Sequence, residues 1–493
     1  MNRNAKQYLD LGIRLVKEQD MENAATAFAA AIKLRPDYAP AYNNLGWALR
    51  HTNQLREAEA CYCRAIELAP DDWSAYNNLG LLSIEFGDFG KAETCFRRSL
   101  GLNPKHPVIY NNLGTVLEEL LRITEAEEAY HQALRLKPNY PEAHYNIGIF
   151  LKSTARLAEA ESCLLQAVAL RPAYVEAQFA LSTLYLLRGE FKTGWEKYEK
   201  FRYKKQSCRQ WGISYWQGEE LTGRSILLYW EYGFGDSIQF ARYVQWVARF
   251  TPRIGLVVQA PLVRFFENAY PDVKIYARQW LQQEHYDYVC SLMSLPAIFN
   301  TDHQMIPPVV PYTRNPVAIE TTDVWRKALK QAGGVCYKVG IAWACSQNKY
   351  SKASKRSIPF NLFCSLLAVP NISWVNLQVG VRAADLAEST YQVIDFSPAL
   401  TDFMDTASLI DCLDLVITVD TAVAHLAGTI GKKTWVLLPL ACDWRWRQAG
   451  EDSDWYPSVR LFRQGKARDW QEVLVSVSAA LQEEVPLKTE NFI

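Results

Sequence analysis

The sequence predicts an α + α/β chain, a helical solenoid followed by a pair of doubly wound, parallel-sheet domains. Three observations predict it. A 34-residue period runs through the first 200 residues. From Ser207 the period stops, and short apolar strands alternate with helices. A stretch with Pro307, Pro308, Pro311 and Pro316 then splits the second half as an interdomain linker would. The expected domains are 1–206, 207–316 and 317–493, in keeping with about 150 residues per domain.

The repeat rests on several registers at once. Ala41-Tyr-Asn-Asn-Leu-Gly46 recurs as Ala75 to Gly80, Ile109 to Gly114 and Ala143 to Gly148, with Tyr8 to Gly12 before it and Ala177 to Ser182 after. Pro36, Pro70, Pro104, Pro138 and Pro172 close successive units. Ala24, Ala58, Ala92, Ala126 and Ala160 hold one small register, and Phe28, Tyr62, Phe96, Tyr130 and Leu164 hold a large apolar one. Glycine on one helix and alanine on the next allow close approach, and proline ends the second helix. This is the tetratricopeptide pattern, two antiparallel helices per unit, with five full repeats and a degenerate sixth from Val175 to about Tyr203 that lacks the glycine and proline.

Asn44, Asn78, Asn112 and Asn146 share one register. A side-chain amide donates and accepts, so a row of them suits an extended peptide backbone; equally, each could tie neighbouring helices together. The row resembles the asparagine ladder of the protein O-GlcNAc transferases, which favours a groove for a protein or peptide acceptor.

Composition removes several classes. Lys plus Arg and Asp plus Glu are 53 each, giving no support for nucleic acid or a polybasic membrane partner. No stretch approaches the ~18 to 20 apolar residues of a membrane span. Met1 to Asp20 is polar and unlike a secretory signal. The 11 cysteines are scattered, with only Cys61 and Cys63 close, so reduced thiols in a cytoplasmic protein are expected. Neither a Walker-type Gly-Lys-Ser nor a Gly-x-Gly-x-x-Gly follows a strand, which argues against an ATPase or a dehydrogenase. His and Cys show no metal spacing.

In the second half, strands are expected at 225–230, 254–259, 273–277, 338–343, 373–378, 393–396, 415–419 and 434–438, with helices at 238–250, 262–269, 360–368, 403–412 and 421–429. Ligands of such sheets sit beyond the carboxyl ends of strands, which singles out three loops. Glu231-Tyr-Gly-Phe-Gly-Asp-Ser237 is a tight turn into a helix; Asp236 there is an N-cap or a general base. Asp420-Thr-Ala-Val-Ala-His425 opens a helix whose free amides suit a diphosphate, with His425 one turn in from Thr421. The loop after Trp343 is basic, with Lys349, Lys352, Lys355 and Arg356; it is either solvated or neutralises phosphate.

Three segments, Glu231 to Tyr243, Lys355 to Pro359 and Asp414 to Gly428, with Asp443 to Trp446, Glu451 to Pro457 and Leu461 to Gln464, resemble the tetratricopeptide-repeat glycosyltransferases. Their catalytic half is similar to the heptosyltransferases of glycosyltransferase family 9, with the GT-B fold. The resemblance implies metal-independent, inverting transfer from a nucleotide-sugar, with no other cofactor. It carries the catalytic base onto Asp236. The donor site falls on Gly235, Ser346, Lys349, Arg356, Asp420, Thr421, Ala422 and His425, with Gln378, Met404 and Asp405 near the nucleoside. Tyr232 stands where relatives usually have Gln, and Cys345-Ser346 replaces a frequent Gly-Asn, so the donor's identity is not inherited. Two other functions fit the same residues. One is an inactive repeat scaffold; the other is a glycan- or lipid-directed transferase whose repeats recruit a partner.

Overall fold

A computed structural model describes residues 2–202, 212–277, 285–302, 306, 317–334, 336–345, 356–465 and 468–485. The chain divides into two compact units, residues 1–152 with 156–177 and residues 153–155 with 178–493. No helix among the described residues is long and apolar enough to cross a membrane.

Twelve helices form the repeats: α1 (Asn2–Lys17), α2 (Met21–Leu34), α3 (Ala39–His51), α4 (Leu55–Leu68), α5 (Trp73–Glu85), α6 (Phe89–Leu102), α7 (Pro107–Glu119), α8 (Ile123–Leu136), α9 (Pro141–Ser153), α10 (Leu157–Leu170), α11 (Val175–Arg188) and α12 (Phe191–Phe201). In the first unit the registers read from the sequence become contacts. A β-carbon on Gly46 would stand 2.7 Å from the Tyr62 ring, on Gly80 2.7 Å from Phe96, and on Gly114 2.8 Å from Tyr130. Ala24, Ala58, Ala92, Ala126 and Ala160 are fully buried. Helices α2, α4, α6, α8 and α10 each stop two residues before a repeat proline, which disfavours helical geometry in the residue before it. Asp20, Asp72 and Asp88 cap the helices that follow, each accepting from a first-turn N–H.

The second unit holds two all-parallel sheets. The first contains β1 (Ser214–Tyr215), β2 (Ile226–Tyr229), β3 (Ile254–Val258), β4 (Lys274–Ala277) and β5 (Tyr288–Ser291), in the order β1-β5-β2-β3-β4. The second contains β6 (Tyr337–Ala342), β7 (Ile372–Asn376), β8 (Ile394–Asp395), β9 (Leu415–Val419), β10 (Thr434–Leu438) and β11 (Val459–Arg463), in the order β11-β10-β9-β6-β7-β8. Strands β2, β3, β9 and β10 are buried at every position, which is why they read as apolar runs rather than alternations. The helices that matter for the site are α13 (Phe234–Phe240), α14 (Val244–Val247), α15 (Val263–Ala269), α16 (Leu295–Ile298), α17 (Ile319–Gln331), α18 (Phe360–Leu367), α19 (Phe403–Asp411), α20 (Ala422–Thr429) and α21 (Trp470–Glu484).

Strands β9 and β10 have the expected bounds, and most others differ by a residue or two. Helix α13 begins at Phe234, four residues before the expected Ile238, because the Asp236 carboxylate accepts from the N–H of the N-cap Gly233 at 2.9 Å. Strands β1, β5 and β11 and helices α16, α17 and α21 have no counterpart among the elements expected from the sequence. The proline-rich linker lies outside the described residues apart from its flanks.

The last repeat belongs with the sheets. Helix α12 carries Gly194 and Tyr198 where earlier repeats carry alanine and a large apolar residue, so it still pairs with α11. Its Phe191, Trp195 and Tyr198 are buried. Trp195 lies edge-on to Phe240 at 6.1 Å and to Trp444 at 5.1 Å, and Phe191 meets Trp455 at 6.3 Å. One helix face therefore packs on groups from both sheets' loops, and the compact unit starts at Gln178, upstream of the 206 boundary expected from the period.

Candidate functional site

Numbered from β6, the second sheet has strand order 3-2-1-4-5-6 and reverses direction between β6 and β9. A ligand crevice opens where such an order reverses, beyond the carboxyl ends of the two strands. Cys345 follows β6 and Asp420 follows β9, and the Cys345 thiol donates to the Asp420 carbonyl at 3.3 Å. Burial pushes the thiol up to about 11, so it stays protonated. Arg356 Nη1 donates to Asp420 Oδ2 at 2.8 Å. Gln378 lies beside them, its Oε1 accepting from the Ala344 N–H at 3.0 Å. Thr421 is the N-cap of α20 through its backbone conformation alone, with its hydroxyl 3.1 Å from that of Thr418. Ala422 is the first residue of that helix, so its amide is one of the free N–H groups at the crevice.

His425 is 5% exposed. Its Nδ1 is 3.0 Å from the Tyr456 hydroxyl, its Nε2 is 4.0 Å from Asp420 Oδ1, and its ring stacks on Trp446 at 5.3 Å. Burial, with Arg445, Arg242 and Arg356 adding repulsion, pulls its pKa down to about 3. The imidazole is therefore neutral near pH 7 and offers a hydrogen bond, not a charge.

The first sheet reverses between β2 and β5, and a side chain occupies that place. The guanidinium of Arg202, just after α12, pairs with Glu231 and donates to Ser291 Oγ at 3.3 Å and Ser294 Oγ at 2.6 Å. Both Arg202 and Glu231 are buried. Just beyond Glu231, the Gly233 turn carries Asp236 on the third residue of α13.

The two turns meet. A β-carbon on Gly235 would stand 2.7 Å from His425 Cδ2, so only glycine lets α13 lie against α20 this closely. Asp236 Oδ1 pairs with Arg445, which comes from the turn after β10 in the other sheet. Arg445 also donates from Nε to Gln239 Oε1 at 2.6 Å and from Nη1 to Asp443 Oδ1 at 2.8 Å, and its guanidinium lies 4.4 Å over Trp444. Arg242 reaches the other way and donates to the Trp455 carbonyl at 2.9 Å. Burial raises the Asp236 carboxyl above its ordinary value, with Arg445 pulling it back and Asp443 and Asp420 adding to the rise.

Asp236, Gly235, Arg356, Gln378, Asp420, Thr421, Ala422 and His425 thus all stand at carboxyl ends of strands in one unit. Met404 and Asp405 are placed differently. Met404 is 1% exposed inside α19. Asp405 is spent on the Thr401 hydroxyl at 2.6 Å and on Arg264, the second residue of α15. Their backbone N–H groups both bond the Asp402 cap. Ser346 and Lys349 lie outside the described residues, as do Lys352 and Lys355. Among the described residues no three His, Cys, Asp or Glu side chains gather as metal ligands.

In the repeats, the amides of Asn78, Asn112 and Asn146 donate to Asn43, Asn77 and Asn111 of the preceding repeat at 2.9, 3.1 and 3.0 Å. These bonds tie successive units, one of the two uses open from the sequence. Asn44, at the head of the row, is half-buried like the other three. Sequence reasoning gave no role to Arg202, Arg242, Arg445 or Tyr456. Arg242, Arg445 and Tyr456 had a signal only as members of the segments Glu231 to Tyr243, Asp443 to Trp446 and Glu451 to Pro457; Arg202 had none.

Profiles described as tetratricopeptide repeats match residues 15–80, 74–106, 122–153 and 141–174. The N-terminal helices of this chain form a tetratricopeptide-repeat array. Protein FlbA of Caulobacter vibrioides is 27% identical over 341 residues, 62% of this chain and 54% of FlbA. The chain thus spans about half the length of the curated relative it matches. Among solved structures, a thermophilic repeat protein of Thermus thermophilus is 20% identical at a TM-score of 0.34, covering 37% of this chain and 99% of its own. YrrB, described as a repeat protein with an unusual peptide-binding site, is 24% identical at a TM-score of 0.30, covering 38% of this chain and 97% of its own.

Proposed function

We propose that the second unit is a GT-B-type glycosyltransferase, inverting and independent of metal, that moves a sugar from a nucleotide-sugar to a protein or peptide recruited by the repeats. One observation carries the reading. Two parallel sheets turn their carboxyl ends to one another so that a carboxylate turn, Gly233 to Asp236, lies against an anion-suited helix start, Asp420 to Ala422. The reversal point of the first sheet is filled by Arg202, which leaves the second sheet's crevice for the donor.

In this mechanism Asp236 takes the proton from the acceptor hydroxyl as that oxygen attacks the anomeric carbon from the face opposite the diphosphate. The bond to the diphosphate breaks and the configuration inverts. The amides at Thr421 and Ala422 and the guanidinium of Arg356 stabilise the departing charge, with neutral His425 able to add a hydrogen bond. The repeats raise the acceptor's effective concentration by holding a second part of it.

The test is a thermal-shift screen against nucleoside diphosphates and nucleotide-sugars, followed by donor hydrolysis. A ligand at about 100 times its dissociation constant adds about 2.7 kcal/mol to the unit that binds it. A folded protein that neither shifts with any of them nor releases sugar would be a scaffold built on a vestigial transferase.

A further inference from the structure

The strongest unabsorbed feature of the site is an arginine that leaves its own sheet. Arg445 is buried on the short turn Trp444–Trp446 after β10, and each of its three nitrogens has a partner: Nε donates to Gln239, Nη1 to Asp443 and Nη2 to Asp236. Two of those partners, Gln239 and Asp236, sit on α13 of the other sheet. A guanidinium is a rigid planar fork, so two anchors on one helix fix its direction and, through it, the Asp236 carboxylate.

We propose that Arg445 is a positioning residue for Asp236, holding the carboxylate in one rotamer by a direct ion pair from the loop after β10 of the other sheet. This rests on the reading of Asp236 as the base. The groups around that carboxylate make the role necessary. On its own element the Gly233 N–H donates to Oδ2, and Tyr232 is a neutral phenol raised by burial. From α12 comes Tyr198, also held neutral by burial. From the second sheet come Asp443 and Asp420, which oppose a second negative charge, and His425, which is neutral. Among the described residues Arg445 is the cation paired with Asp236, and its own hold on Asp443 keeps that competing carboxylate ionised and turned towards the guanidinium. Arg445 therefore offsets part of what burial, Asp443 and Asp420 do to the Asp236 carboxyl, and it does so from a loop of the other sheet.

The experiment uses the full chain as wild type, Arg445→Met, Arg445→Lys and Gln239→Leu. Turnover of a nucleotide-sugar is followed from about pH 5 to about pH 9. In parallel the Asp236 carboxyl carbon is titrated by NMR, assigned by its loss in Asp236→Asn. Removing the cation should move the acid limb of the rate profile up by about one pH unit or more, a tenfold or larger loss near pH 6 that recovers at alkaline pH. The carbon titration should move the same way. Arg445→Lys should bring the limb back, and Gln239→Leu, which keeps the charge but loses its anchor, should lower kcat without moving the limb. A folded Arg445→Met protein whose rate limb and carbon titration both match wild type overturns the proposal. Should Arg445→Met fail to fold, the lysine and Gln239→Leu variants decide it: a loss of kcat in neither overturns it. If no form turns over any donor, the transferase reading fails, and the carbon titration alone judges the hold of Arg445 on Asp236.

Discussion

Gly235 lies so close beneath the imidazole of His425 that a β-carbon there would stand 2.7 Å from Cδ2. The contact fastens the turn after β2 to the helix after β9. Gly235→Ala should cost about 1–3 kcal/mol through overpacking, read as a lower Tm for the second unit's transition. An unchanged Tm would show that the ring yields freely.

His425 makes the second unit sensitive to acid. Its folded pKa, about 3, is below the ordinary 6.5, so the unfolded chain binds the proton better. The stability it contributes is present above about pH 6.5 and is lost as pH falls towards 3. Between pH 7 and pH 5 the loss should be about 2 kcal/mol from this group. Urea titrations at those two pH values check it, with His425→Phe as the comparison whose slope should be shallower.

Asp236→Asn should keep the carboxamide near Gly233 while removing the proton acceptor. Transfer should fall by about 10²–10⁴-fold with donor affinity within a few-fold of wild type. Steady-state kinetics with a thermal-shift affinity for the donor separate the two, and near-normal turnover would remove Asp236 as base.

Within the repeats, Asn112→Ala removes a 3.1 Å bond to Asn77 of the preceding repeat. A loss of about 0.5–1.5 kcal/mol in the first unit's urea unfolding is expected. If peptide binding weakens while stability does not change, the row serves the groove and not the stack.

The repeats were legible because every unit restates its neighbour's packing. Gly46 and Tyr62, Gly80 and Phe96, and Gly114 and Tyr130 are one contact made several times, so the period exposes it. The parallel strands showed as apolar runs where both faces are covered, as in β9 and β10. Strand β11 did not, because Val-Arg-Leu-Phe-Arg at a sheet edge leaves Arg460 exposed. In the site, Asp236 and Asp420 stood out because strand ends next to glycine or a helix cap carry a local signature. Arg445 and Arg202 did not, since their partners in the first sheet are more than 200 residues away for one and 29 to 92 for the other. Nothing local to a sequence marks a side chain whose meaning lies in another sheet.

The aromatic face of α12 sets where this protein can be shortened. A truncation designed from the repeat period alone would begin near 206 and strip Phe191, Trp195 and Tyr198 from Phe240, Trp444 and Trp455, leaving a wet hole beside the loops of both sheets. A start upstream of Gln178 keeps them. By the same logic, gain or loss of whole 34-residue units among α1 to α10 leaves the α12 contacts alone. The number of units can change without touching that face, while the final helix is fixed by the aromatic side chains it packs on.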